Sequence, residues 1–192
     1  MVLQTPPPSP WIQRWTEAVP NGGPVLDVAC GSGRHLRWFA QHGHRVWGID
    51  RDTDAARQQC ATLTSPQTAL IEADIENGPW PLIGSDGPQK FAAVVVTNYL
   101  WRPLFPVLMA SLAPGGLLLY ETFAVGNAAF GKPSRPAFLL APGELLQLCN
   151  GLHIIAYEHG VCRNPDKMVQ RIAAMRPVSP YPASADAIRC AL

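Results

Sequence analysis

The chain has no apolar run approaching the ~18 residues of a membrane span, and its opening MVLQTPPPSP lacks a charged head followed by an apolar stretch. Neither membrane insertion nor export is indicated. An excess of either charge is also missing. Fifteen basic against 14 acidic residues leave a net charge of +1, which offers a polyanion no electrostatic footprint and disfavours nucleic acid as a partner. Cysteine is sparse and unpaired: the five residues at 30, 60, 149, 162 and 190 form no Cys-x-x-Cys motif. That pattern points away from disulfides and from a bound metal, and toward buried thiols in a reducing, cytoplasmic setting. There is no internal repeat and no low-complexity block, and 192 residues suit a single domain spanning 1–192.

What the chain has in plenty is proline. Its 20 prolines are about twice the ~5% average, and they gather in the two tails (PPPSP, RPVSPYP) and in connections such as NGPWPLIGSDGP. Between them the pattern alternates. GPVLDVAC reads as extended, GRHLRWFAQHG as helical, HRVWGID as extended, DTDAARQQCATL as helical, QTALIEADI and FAAVVVTN as extended, WRPLFPVLMASL as helical and GGLLLYETF as extended. Uninterrupted apolar strands such as AAVVV and LLLY suit a sheet covered on both faces, hence an α/β fold with parallel strands between helices. HIIAYEHGVC and KMVQRIAAM break the rhythm, because the short turn RNPD joins them as an antiparallel C-terminal hairpin. Ahead of the first strand, SPWIQRWTEAVP predicts an amphipathic helix over about 10–19, capped by serine and started by proline. The core is expected over 24–176 and a proline-rich tail over 177–192.

The stretch VLDVACGSGRH carries the chemical signal. A glycine-rich bend leaving the first strand of a doubly wound sheet lies at the carboxyl edge, where such folds bind ligands. Gly31 and Gly33 leave room for a ligand against the backbone, and the amides of the following helix point toward it. A dinucleotide fingerprint needs Gly or Ala three residues after Gly33, and Leu36 stands there.

The whole row resembles the class I S-adenosylmethionine-dependent methyltransferases, whose first motif reads acidic-x-Gly-x-Gly-x-Gly. Asp27, Ala29, Gly31 and Gly33 match it, with alanine replacing one glycine. WGID ends the second strand at Asp50, nineteen residues beyond Gly31. LIEADI ends the third at Asp74 and Ile75, VVVTNYL ends the fourth at Asn98 and Tyr99, and LAPGGLLLY turns into the fifth. The resemblance implies a Rossmann-like, doubly wound, mostly parallel seven-stranded sheet, with S-adenosyl-L-methionine as donor and S-adenosyl-L-homocysteine as product. It assigns Asp27 to the donor's amino group and Ala29, Cys30, Gly31, Gly33 and His35 to the turn beneath it. Asp50 falls at the ribose and Asp74 at the adenine, where Ile75 offers backbone and apolar contact, and Arg51, Asn98 and Tyr99 complete the expected cofactor contacts. Methyl transfer from a sulfonium is a direct displacement, so alignment and dehydration are the protein's main tasks.

The acceptor must be read elsewhere. TNYL lacks the Pro-Pro-aromatic signature of enzymes that methylate nucleic-acid bases, which argues against base methylation, and a small-molecule acceptor is expected. Trp11 and Trp15 on the opening helix, Arg102, and Lys132 and Arg135 in the aperiodic stretch FAVGNAAFGKPSRPAFLLAP are the candidate substrate contacts. Tyr99 and Glu121 are the candidate proton acceptors, should the acceptor need one. A cationic mouth suits a thiolate or a chalcogen oxyanion, and the opening helix and first motif are similar to the tellurite-resistance methyltransferases. A protein or RNA methyltransferase, a nicotinamide-dependent oxidoreductase and an inactive binding module stand as alternatives.

Overall fold

The computed structural model describes residues 6–61 and 68–178. Cys190, the tail from residue 179 on and the end of the helix expected over DTDAARQQCATL lie outside them. The chain forms α1 (Pro10–Trp15), β1 (Val25–Val28), α2 (Arg34–Gln41), β2 (Val46–Asp50), α3 (Asp54–Cys60), β3 (Thr68–Glu72), β4 (Ile83–Gly84), β5 (Gly87–Pro88) and β6 (Phe91–Thr97), then α4 (Phe105–Ala110), β7 (Leu112–Phe123), α5 (Glu144–Leu148), β8 (His153–Cys162) and β9 (Lys167–Met175).

The main sheet has seven strands in the order β3-β2-β1-β6-β7-β9-β8. The first five run parallel, whereas β9 pairs antiparallel with both β7 and β8. This is the doubly wound sheet with a terminal hairpin that the alternation implied. The short β4–β5 hairpin lies apart from it, and the connection from β3 to β6 holds no helix, so the crossover there is made by turns.

Strand residues alternate between two cores. Val25, Ala93, Val95, Leu117, Leu119 and Ala173 face α1 and α2, packing with Trp11, Ile12, Trp15, Leu36 and Phe39. Leu26, Val28, Val94, Val96, Leu118, Tyr120 and Ile172 face α4 and α5, packing with Phe105, Leu108 and Leu145. Two-sided burial explains the near-continuous apolar runs of β1 and β6.

The opening helix is shorter than expected: α1 ends at Trp15 and continues as a 3-10 turn over Thr16–Ala18. Ser9 Oγ accepts the Trp11 amide at 3.2 Å, and Pro10 occupies the first turn, where no intrahelical amide is needed. Thr16 Oγ1 donates to the Ile12 carbonyl at 2.9 Å and accepts the Trp38 indole N–H at 2.8 Å, which joins this segment to α2.

Candidate functional site

At the carboxyl ends of β1, β2 and β3 the chain opens a cleft of about 210 Å³ lined by Ala29, Asp50, Arg51, Ala73, Asp74, Ile75, Glu76 and Tyr99. The turn after β1 forms its floor. Ala29, Gly31 and Gly33 all adopt positive φ, and the two glycines serve different ends. A Cβ on Gly31 would meet nothing within 4 Å, so the backbone there faces open space. A Cβ on Gly33 would press on Ala56 at 3.2 Å, so this glycine lets α2 approach α3. Leu36, which breaks the dinucleotide pattern, packs where a side chain on Gly48 would stand, 2.6 Å from that position.

Asp50 braces the turn. Its Oδ2 accepts the Gly31 amide at 2.8 Å and its Oδ1 the Asp52 amide at 3.1 Å, and each oxygen keeps a lone pair for a ligand hydroxyl. Asp74 shapes the opposite wall. Its carboxylate accepts from the amides of Glu76 and Asn77 and from the Asn77 side chain, and these bonds, the Asn77 side chain foremost, hold its carboxyl below the usual range. Tyr99 donates its hydroxyl to Glu76 Oε1 at 3.1 Å. Burial, then the Glu76 charge, pushes the phenol well above its ordinary value. Tyr99, a candidate proton acceptor by its place in the sequence, thus donates to Glu76 in this arrangement.

Asp27 lies beneath this wall. It is 1% exposed, and neither carboxylate oxygen has a hydrogen-bond partner. Burial pushes its carboxyl up to about 8, with Arg34 pulling it down and Asp50 raising it further. His35, expected to touch the cofactor, is buried instead: its Nε2 accepts the Ser9 amide at 3.1 Å, and its Nδ1 is 3.8 Å from Asp27 Oδ2. Burial, helped by Arg34, lowers its pKa to about 3, so the ring is neutral. Cys30 is also below the wall, its thiol pushed far up by burial.

A second cavity, of about 260 Å³, shares Glu76 and Tyr99 with the first and adds Asn98, Leu100, Thr122, Phe123, Pro133 and Phe138. Asn98, with φ of 56°, donates its amide to the Glu121 carbonyl at 2.9 Å.

Of the expected substrate contacts, none lines either cavity. Trp11 and Trp15 are core residues; the Trp11 indole donates to the Ile172 carbonyl at 3.3 Å, and the two rings meet edge to face at 5.7 Å. Arg102 is consumed by the fold. Its guanidinium makes a bidentate pair with Glu144 and donates to the carbonyls of Ala137 at 2.9 Å and Leu139 at 3.0 Å, so it pins the segment 123–142 rather than reaching for a ligand. That segment is ordered by the Ala124–Leu140 bridge and by Asn127, which donates to the Pro133 carbonyl and accepts the Met168 amide. Lys132 and Arg135 stand on its exposed side and make no side-chain bond among the described residues. Glu121, expected as a base, has its oxygens occupied by Ser9, Lys167 and Arg171. Glu76, Thr122 and Phe123 went unsuspected, since nothing in their sequence surroundings sets them apart from ordinary strand-end residues.

The fold and the edge at which the cleft opens define a Rossmann-like α/β protein. Residues 25–116 match the family described as a methyltransferase domain. Trans-aconitate 2-methyltransferase from Paracidovorax citrulli is 34% identical over 101 residues, which cover 50% of this chain and 37% of that one. Malonyl-[acyl-carrier protein] O-methyltransferase from Serratia marcescens is 32% identical over 113 residues, or 55% and 40%. The chain spans about two fifths of the length of these curated relatives. The N-methyltransferase NodS from Bradyrhizobium japonicum, solved with S-adenosyl-L-homocysteine, has the same fold, with a TM-score of 0.66 at 17% identity over 87% of this chain and 84% of that chain. Over residues 25–116 the chain is thus similar to methyltransferase domains, and its relatives over that stretch are named as methyltransferases. No helix among the described residues is long and apolar enough to cross a membrane.

Proposed function

We propose that the chain binds S-adenosyl-L-methionine across the first cleft and transfers its methyl group to a small acceptor with an anionic nucleophile, a thiolate or a chalcogen oxyanion. The observation that carries the donor assignment is the convergence of Ala29, Asp50 and Asp74 on one cleft beyond the ends of three adjacent parallel strands, with the Gly31 amide bonded to Asp50. The residues present fit the donor. The open backbone at Gly31 leaves room for a nucleoside, the spare lone pairs of Asp50 suit ribose hydroxyls, and the unpartnered oxygens of Asp27 are what an ammonium group would satisfy. Ile75 and the capped Asp74 supply an apolar contact and an acceptor for adenine. Arg51 stands beside them at the rim.

When bound, the sulfonium supplies an activated methyl group: an acceptor lone pair forms the new bond to carbon while the S–CH3 pair returns to sulfur, leaving the neutral thioether. The chain's residues hold the two reactants in line and exclude water. No base is required for an acceptor that arrives as an anion, in keeping with the engaged states of Tyr99 and Glu121.

A small acceptor is supported by the narrow cavities and by relatives named for trans-aconitate and for a malonyl group on a carrier protein. Calorimetric titration with S-adenosyl-L-homocysteine and with NADH tests the donor reading. Saturable binding of the first alone supports it, and binding of NADH alone overturns it. Radiolabel from the donor appearing in protein or RNA rather than in small molecules of an extract would overturn the acceptor class.

A further inference from the structure

A third cleft opens at the same sheet edge, on the side of α1, and the donor has no use for it. It encloses about 660 Å³ between the proline segment at residues 6–10 and the tip of the β8–β9 hairpin. Four cations line it, Arg34, Arg163, Lys167 and Arg171, against one carboxylate, Glu121. An otherwise nearly neutral chain thus concentrates positive charge in one concave site with low-dielectric walls, where the field on a small anion is strongest.

The cations are positioned rather than scattered. Glu121 and Arg171 are register partners on β7 and β9. Glu121 Oε1 accepts from Lys167 Nζ at 3.1 Å and from Ser9 Oγ at 3.2 Å, and its Oε2 lies 3.4 Å from Arg171 Nη1. Arg171 is held from its other side by Glu158, at 2.6 Å. The Glu121 carboxylate, with its side chain 3% exposed, is thus the buried base of a small ionic framework, while Lys167 remains 24% exposed to the cleft with two of its three N–H groups unused. Arg34 donates only long bonds, to the Pro7 carbonyl at 3.3 Å and Thr97 Oγ1 at 3.4 Å, and has no carboxylate within ion-pair distance among the described residues. Arg163 has none either. Prolines 6, 7, 8 and 10 make the facing wall stiff, so little order need be gained on binding.

Position adds to charge. Arg34 follows Gly33 of the turn, and Thr97, which it contacts, precedes Asn98 of the second cavity. The cationic cleft therefore abuts the segment between the turn and the end of β6, next to the second cavity. We propose that this cleft anchors the methyl acceptor through an oxyanion, a carboxylate or an inorganic oxyanion of similar size, with Lys167, Arg34 and Arg163 as counter-ions and Glu121 as the positioning residue that orients Lys167 and Arg171. The inference rests on the methyltransferase reading and replaces Arg102, Lys132 and Arg135 as the substrate cations.

The full chain, saturated with S-adenosyl-L-homocysteine, is titrated with succinate, propane-1,2,3-tricarboxylate, selenite and, as a neutral control, diethyl succinate. At least one anion should bind and the ester should not. Binding by carboxylates alone assigns a carboxylate acceptor, binding by selenite alone an inorganic one, and binding by both the shared oxyanion chemistry. Lys167→Met should weaken anion binding about tenfold. Glu121→Gln, which removes the competing negative charge, should tighten it several-fold, a gain that no loss of folding produces. Both variants should keep wild-type affinity for S-adenosyl-L-homocysteine. Absence of anion binding to the loaded chain, or wild-type anion affinity in both variants, overturns the inference and leaves the donor reading standing. Failure of the chain to bind S-adenosyl-L-homocysteine overturns both.

Discussion

Asp50 Oδ2 accepts the backbone amide of Gly31 across 2.8 Å, so the end of β2 holds the turn after β1 in its open shape. One carboxylate thereby serves both the protein and the proposed ribose. Asp50→Ala should weaken S-adenosyl-L-homocysteine binding about ten- to a hundredfold, the worth of one charged hydrogen bond at roughly 1.5–3 kcal/mol. Calorimetry checks this, and unchanged affinity would remove Asp50 from the site.

The two glycines of the turn should separate in their effects. Gly31→Ala and Gly33→Ala both carry the cost of a left-handed residue, roughly 1–2 kcal/mol, but only Gly33→Ala drives a methyl group against Ala56. Thermal unfolding should therefore show the larger loss for Gly33→Ala. Gly31→Ala, whose methyl group points into open space, should lose nucleoside affinity beyond its smaller change in melting temperature.

Asp27 makes stability depend on pH. Its folded-state value, about 8, lies above the ordinary 3.8, so its contribution is fully present below about pH 4 and is lost as pH rises through 8. His35 has the opposite sign: with its value lowered from 6.5 to about 3, its contribution is present above pH 6.5 and lost as pH falls through 3. Between pH 6.5 and 8, Asp27 sets the slope of this pair. The unfolding free energy of the ligand-free chain, read from urea titrations, should fall over that interval by at most ~1.4 kcal/mol per pH unit, and Asp27→Asn should flatten the fall. The proposed ammonium contact adds a second readout, since nucleoside affinity should rise over the same interval in the wild type and not in the variant.

Arg102 should prove structural. Arg102→Ala releases Glu144 and the carbonyls of Ala137 and Leu139 together, so limited proteolysis should cut faster within residues 124–142. Binding of S-adenosyl-L-homocysteine should stay at the wild-type level. A selective loss of acceptor binding with unchanged proteolysis would return Arg102 to the substrate list.

Much of this architecture is legible in the sequence because its strands are buried on both faces. Runs such as FAAVVVT cannot belong to a half-exposed sheet, and the turn residues between KMVQRIAAM and HIIAYEHGVC announce a hairpin. The cleft could likewise be read, since Gly31, Asp50 and Asp74 lie at or just beyond the ends of β1, β2 and β3 and parallel neighbours bring strand ends together. What stayed hidden depends on long-range pairing. Arg102 finds Glu144 42 residues away, and only the register of β7 with β9 puts Arg171 opposite Glu121. His35 and Cys30 adjoin the glycine turn in sequence yet are buried below it, His35 on the inward face of α2 with Leu36 and Phe39, and Cys30 in the core between the sheet and α2. Lys167 and Arg171 did carry a faint signal: four residues apart on a strand, they share one face.

The placement of β9 between β7 and β8 has a consequence for how the chain matures. The long β7 is synthesised well before the strand that covers its outer edge, and until residues 167–175 arrive its open hydrogen-bonding groups and its apolar Leu117–Leu119 stretch are available to other chains. Premature stop codons upstream of Lys167 should therefore yield insoluble product rather than a shortened binder, even though every residue of the nucleoside cleft has already been translated.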